Sequence, residues 1–186
     1  MAETAHAHGT SPVSPALADF EVLRDSRLRR LLAHWLGLAG GTVPPRAALD
    51  PLDIPYALPI CWLCDLVADA DVPQGRFRYR LAGDTIERVF GRSLKGHYLD
   101  MLVPPADWPR VEARWLSVLA LPAIAVHVGT VYDTYDMLLV GERLLLPLLD
   151  GQGRPTIILG ATAYEAAGPE TPPGPLREFV RPVPLP

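Results

Sequence analysis

Residues 76–81 alternate strictly between charged and apolar side chains. Arg76, Arg78 and Arg80 interleave with Phe77, Tyr79 and Leu81, the period-two signature of a strand with one apolar face. At Asp84 the period changes. Ile86, Val89 and Phe90 fall on one side of about two helical turns, and Gly91 follows as a left-handed stop. Asp84-Thr85-Ile86-Glu87 has the form of an acidic capping box, with Asp84 accepting from the first turn and Glu87 reaching back to the cap.

Other segments are read in the same way. Residues 1–18 are small, polar and proline-punctuated, as expected of a flexible tail. Asp19 can cap a helix running to about residue 39. Phe20, Leu23, Leu28, Leu31, Leu32, Trp35 and Leu38 form one broad apolar face of it, arginines fill much of the rest, and Gly40-Gly41 ends it. So wide a stripe suits a helix that covers a sheet. It also leaves an edge that predicts pairing with a second copy or a partner through Leu28, Leu31, Leu32 and Trp35. Five prolines between residues 42 and 59 make a stiff connector. Strands are expected at 60–67, 77–83, 123–131, 137–149 and 156–164. A longer helix is expected from Asp107 or Trp108 to about 121, with Trp108, Val111, Trp115, Val118 and Leu119 inward. Asp150-Gly151-Gln152-Gly153 reads as a hairpin turn. Two strands, then helices, then three strands give an α+β plan: a five-stranded antiparallel sheet with helices on one face and an N-terminal flanking helix. Residues 167–186 are proline-rich and expected to be an extended, exposed tail.

The strand, the short helix and the glycines at 91 and 96 resemble the core of a PAS domain. From Leu31 to about Glu165 the chain is similar to a bacterial family of stand-alone single-PAS proteins. The resemblance rests on LLAHWLGLAGG, PPRAALDPLDIP, LPICWLCDLV, FRYRLAGDTIERVFGRSLKG and LLLPLLDGQGRPTIILGAT, in that order. It implies a PAS-like fold over residues 60–166 and a sensory or interaction role, without naming a ligand. In the register that turns Arg80 toward the cavity, comparison with the general PAS pattern places Ala82, Ile86 and Phe90 at the cavity wall, with Trp62 joining from the adjacent strand.

Arg80 has two readings. If Phe77, Tyr79 and Leu81 face the helical layer, the three arginines are solvated. If those side chains pack beneath the N-terminal helix, Arg80 enters the cavity and calls for a carboxylate or an anionic ligand. The second register makes the module a sensor of an acidic metabolite.

Composition narrows the classes. The chain has 186 residues, of which 49% are apolar, and a net charge of −4. It can bury a real core, and its charge argues against a general nucleic-acid binder. Its one lysine is Lys95; the arginine bias fits a GC-rich genome better than a binding surface. No apolar run approaches the roughly 20 residues of a membrane span. The N-terminus lacks a basic region followed by an apolar core, so cytoplasmic residence is expected.

Candidate chemistry is sparse. Cys61 and Cys64 form a CxxC inside an apolar strand, where positions three apart face opposite sides, so they are expected to be two unlinked buried thiols. No second ligand pair completes a metal site. Among the histidines, His6 and His8 sit in the tail, His34 on the first helix and His127 on a strand. His97 is the one position from which a PAS haem could be held, but no haem motif surrounds it. The flavin-photosensing variant of the fold carries Asn-Cys-Arg after the short helix; here Gly91-Arg92-Ser93-Leu94 stands instead. Neither haem, flavin nor a metal is expected. GxSxG, HExxH and GxxxxGK[ST] are absent, and Asp133 and Asp136 read as a solvated loop, so the chain is expected not to be an enzyme. Three functions stay open: an adaptor acting through signalling partners such as a kinase or a cyclic-nucleotide enzyme, a dedicated small-molecule sensor with an anion pocket, and a small enzyme on an α+β scaffold.

Overall fold

The computed structural model of the protein describes residues 15–134, 137–167 and 176–186. His6, His8 and Asp136 lie outside the described residues, as do 168–175 of the proline-rich segment.

Helix α1 spans Ser26–Ala39. Strands β1 (Cys61–Val67) and β2 (Arg76–Ala82) lead into the short helix α2 (Asp84–Phe90). Helix α3 (Trp108–Ala120) precedes β3 (Ala123–Thr134), β4 (Met137–Leu149) and β5 (Pro155–Ala166), and β6 (Arg177–Pro182) follows. The strands form one antiparallel sheet in the order β2-β1-β5-β4-β3-β6.

The central strands β1, β5, β4 and β3 are buried on both faces, while β6 and the outward side of β2 are exposed. On one side α1, Phe20 and Leu23 cover Leu63, Leu144, Leu146, Leu148, Ile157 and Leu159. On the other, α2 and α3 pack on Trp62, Cys64, Phe77, Tyr79, Leu145 and Ile158. Double burial is why β4 and β5 read as nearly continuous apolar runs rather than as alternations. It also separates Cys61 from Cys64: the first belongs to the α1 core and the second to the α3 core.

Four expectations change. First, α1 starts at Ser26, not Asp19. Residues Leu17–Phe20 form a short 3-10 turn, and Asp25 caps the helix by accepting from the backbone N–H of Arg27 (2.8 Å) and Leu28 (3.2 Å). The Glu142 carboxylate of β4 also accepts from the N–H groups of Arg24 and Asp25, at 2.8 and 3.0 Å. A carboxylate far away in sequence thus sets where the chain enters α1.

Second, Leu28, Leu31, Leu32 and Trp35 are all 0% exposed. The Trp35 indole N–H donates to the Pro147 carbonyl. The stripe is spent on the chain's own sheet, so these four residues offer nothing to a second copy, and any pairing has to use another surface.

Third, Gly83 caps α2, and Asp84 is its first residue, ion-paired with Arg88 one turn on. Glu87 does not reach back to the cap. It accepts from the Leu94 N–H and the Ser93 hydroxyl, holding the loop that leaves the helix.

Fourth, the described residues form a sheet of six strands. Arg177–Pro182 pairs along β3 from Ala123↔Pro182 to Val128↔Arg177. Val183 then donates its N–H to the Pro122 carbonyl and buries its side chain in the α1 core. Prolines at the ends of a segment do not stop it from serving as an edge strand.

Candidate functional site

A cavity of about 520 Å³ lies between the sheet and α3, a size usual for small-molecule sites. Trp62, Tyr79, Phe90, Leu102, Val111, Trp115, Val131, Tyr132, Leu138 and Leu176 supply most of its apolar wall. Asp107, Arg110, Arg114, His127, Thr130, Asp133 and Arg143 supply the polar part.

The aromatic wall is locked. Trp62 stacks on Trp115 with centroids 4.6 Å apart and planes 9° from parallel, and Tyr79 meets Trp62 edge-on. Phe90, Tyr132 and Tyr164 continue as two edge-to-face pairs, and the Tyr164 hydroxyl donates to the Thr85 carbonyl. Gly160 of β5 sits opposite Trp62. A Cβ at Gly160 would lie 2.0 Å from the indole, so only glycine lets Trp62 lie flat on the strand.

The polar wall is a row across three strands. His127 of β3 pairs in register with Arg143 of β4, and Arg143 with Thr162 of β5. Arg143 Nε donates to Thr162 Oγ1 (3.2 Å), which also accepts from Trp62 Nε1 (3.3 Å). Arg143 Nη2 donates to the Val131 carbonyl, and the guanidinium lies 4.7 Å from the Tyr132 ring centroid. Among the described residues no carboxylate lies within ion-pairing distance of Arg143. The other cavity arginines differ: Arg110 is paired with Asp107 at 2.6 Å, and Arg114 stands 3.8 Å from Glu178.

His127 is 2% exposed, and its Nε2 lies 2.9 Å from a Glu178 oxygen on β6. Burial pushes the imidazole pKa below its usual value. Arg143 and Arg114 push the same way, and together they outweigh the hydrogen bond to Glu178. His127 is therefore neutral at neutral pH. A neutral ring donates from Nε2 to the carboxylate and leaves Nδ1 as an acceptor. Nδ1 is buried and has no hydrogen-bond partner.

Of the residues expected at the cavity wall, Trp62 and Phe90 line it. Ile86 is buried and Ala82 half-buried in the same core without reaching the cavity. Arg80 is elsewhere. Phe77 and Tyr79 face the helical layer, so Arg80 points away from it and forms a two-pronged pair with Asp65 at 2.8 and 3.0 Å. His97 is not on the wall; its backbone bonds to Tyr79 and Leu94. Asp133 reaches the rim as an exposed residue of β3.

Sequence pattern alone does not single out Arg143 and His127 as cavity residues. The signal that could have found them is Glu142-Arg143, a charged pair inside the apolar run MLLVGERLLLPLL. Neighbours on a strand face opposite sides, so in a sheet covered on both faces each must meet a need within a core. Glu142 anchors the entry to α1, and Arg143 faces the cavity.

Among the described residues no group of three His, Cys, Asp or Glu side chains could hold a metal ion, and no helix is long and apolar enough to cross a membrane. No curated protein matches the chain. One solved structure similar to it is that of an RNA-binding Light-Oxygen-Voltage receptor, with 18% identity and a TM-score of 0.41. That match covers 64% of this chain and about a third (33%) of the other. The sequence profile of the PAS domain matches residues 23–163, most of the chain and all of the sheet except β6 and the last residues of β5. The chain belongs to the PAS domain family, whose members serve broadly as sensory and signalling domains.

Proposed function

We propose that this protein is a cytoplasmic, non-catalytic sensory module that binds a small molecule in the cavity beneath α3 and passes its occupancy to a partner protein. The observation that carries this is the cavity itself: about 520 Å³ of aromatic-walled space beside a guanidinium with no carboxylate partner among the described residues. A site with an apolar body and a few convergent polar groups is suited to binding.

The same geometry suggests the route to the partner. His127 and Arg114 line the cavity, and both reach Glu178 of β6. A ligand that contacts them acts on an edge strand, the part of a sheet most open to a second protein. A kinase or a cyclic-nucleotide enzyme is a partner of the right kind.

A small enzyme remains the second reading, favoured by one observation. His127 with Glu178 has the form of a base held by an orienting carboxylate.

Native mass spectrometry of the full chain tests the proposal. The expected result is a bound small molecule, released unchanged on activation. An empty protein, with no thermal shift across a metabolite library, overturns it. Recovery of a converted product favours the enzyme.

A further inference from the structure

We infer that the ligand is a small carboxylic acid with a hydroxyl or N–H beside the carboxylate and an apolar, ring-bearing body. Its carboxylate is received by Arg143 and its neighbouring donor by His127 Nδ1. The inference rests on the sensory reading above and specifies what that site takes.

The charge argument comes first. Arg143 is half-buried on a central strand, and the described residues use two of its five N–H donors, both on neutral oxygens. A guanidinium withdrawn from water needs an anion, and its planar fork suits a carboxylate held by two parallel bonds. The carboxylates around the cavity do not fill that role. Asp107 is taken by Arg110, Glu178 by His127 and Arg114, and Asp133 is exposed and outside pairing distance.

The hydrogen-bond argument is independent of it. His127 Nδ1 is a buried acceptor with no donor facing it. Leaving such a group unmet is costly, so the occupant that fits best brings an O–H or N–H. His127 and Arg143 are directly opposed across β3 and β4, which places their Cβ atoms roughly 5 Å apart. The ligand's acceptor and donor must therefore sit close together, as in a 2-hydroxy acid or an N-acylated amino acid. Phe90, Trp62 and Tyr132 form the surface for the rest of the molecule.

The test is calorimetric titration of the full chain with matched compounds. Mandelate, 3-phenyllactate and indole-3-lactate carry both groups. Phenylacetate, 3-phenylpropionate and indole-3-propionate lack the hydroxyl, and the amides of the first three lack the charge. At least one hydroxy acid is expected to bind. Its deoxy partner is expected to bind about tenfold more weakly and its amide about a hundredfold, the usual sizes for one neutral and one charged hydrogen-bond set. Arg143→Gln is expected to reduce the acid to the level of its amide. Arg143→Lys, which keeps the charge and loses the fork, is expected to fall between and to guard against misfolding; circular dichroism checks both. His127→Phe is expected to erase the preference for the hydroxyl and keep that for the acid. Equal binding of acid and amide, an unaffected Arg143→Gln variant, or no binding by any acid overturns the inference. If native mass spectrometry recovers an uncharged ligand, the inference fails while the sensory cavity stands. An empty protein that binds none of the compounds retires both.

Discussion

Gly160→Ala is the sharpest test of how the cavity wall is built. Gly160 is not among the glycines with a positive φ, so alanine meets no backbone strain there. On unfolded-state entropy alone the change stabilises by about 0.4–1 kcal/mol. The new methyl, however, lies 2.0 to 2.3 Å from three carbons of the Trp62 ring, in a rigid strand flanked by paired neighbours. Trp62 must leave its seat. Overpacking costs about 1–3 kcal/mol, loss of the stack on Trp115 about 0.5–1.5 kcal/mol, and loss of the bond to Thr162 about 1 kcal/mol. These outweigh the entropic gain severalfold and take a large share of the roughly 5–15 kcal/mol that holds a typical domain folded. Urea unfolding followed by far-UV circular dichroism measures the loss, and near-UV circular dichroism reports the stacked indoles. In a Trp62→Ala background the clash is gone, so Gly160→Ala there is expected to cost under about 1 kcal/mol, a strong coupling between the two sites. Additive effects, or an unchanged midpoint for Gly160→Ala alone, would show that Trp62 does not lie on Gly160.

The remaining predictions concern a depressed carboxyl, the buried thiols and the two helix starts. The backbone N–H of Arg154 first, then that of Gln152 and the Arg154 and Thr156 side chains, hold the Asp150 carboxyl down from 3.8 to about 2 against the opposing effect of burial. A depressed pKa stabilises the fold above the unfolded value and loses that contribution as pH falls through the folded one. Asp150→Asn is therefore expected to flatten the acid limb of stability between about pH 4 and 2, and acid titrations of parent and variant that run parallel there would contradict it. Burial pushes the Cys61 thiol up to about 12 and the Cys64 thiol well above its usual value, and the two lie on opposite faces of the sheet. Native protein is expected to react slowly with thiol reagents and to show no Cys61–Cys64 disulfide by peptide mapping after aerobic storage. Asp25→Ala removes the α1 cap and is expected to cost about 1 kcal/mol, a shift of roughly 2–4 °C in Tm. Asp84→Ala, which removes an exposed pair with Arg88 and exposed backbone contacts at the first residue of α2 rather than at its cap, is expected to cost less than Asp25→Ala; the reverse order by calorimetry would restore Asp84 as the cap.

Local pattern placed α2, α3 and five of the strands, because each carries its own signal: alternation in 76–81, helical spacing in 108–119, apolar runs at 137–149 and 156–164 divided by the turn chemistry of 150–153. The CxxC was legible as two separated thiols for the same reason, since strand geometry is local. What the sequence could not decide was which face each side chain meets. Arg80 and Arg143 are both arginines on strands. The first is solvated because Tyr79 turned toward the helices, and the second enters the cavity because β4 is covered on both sides. The same holds for α1, whose stripe looked wide enough to spare an edge but is consumed by the sheet beneath it. It holds for Arg177–Pro182, whose strand exists only because β3 offers an open edge. The candidate site depends most on tertiary structure. Trp62, Gly160, Arg143, His127 and Glu178 come from five different strands, and only the pairing order of the sheet brings their side chains into one place. Local propensity has no access to that order, because it is set by which apolar faces can be buried together over the whole chain.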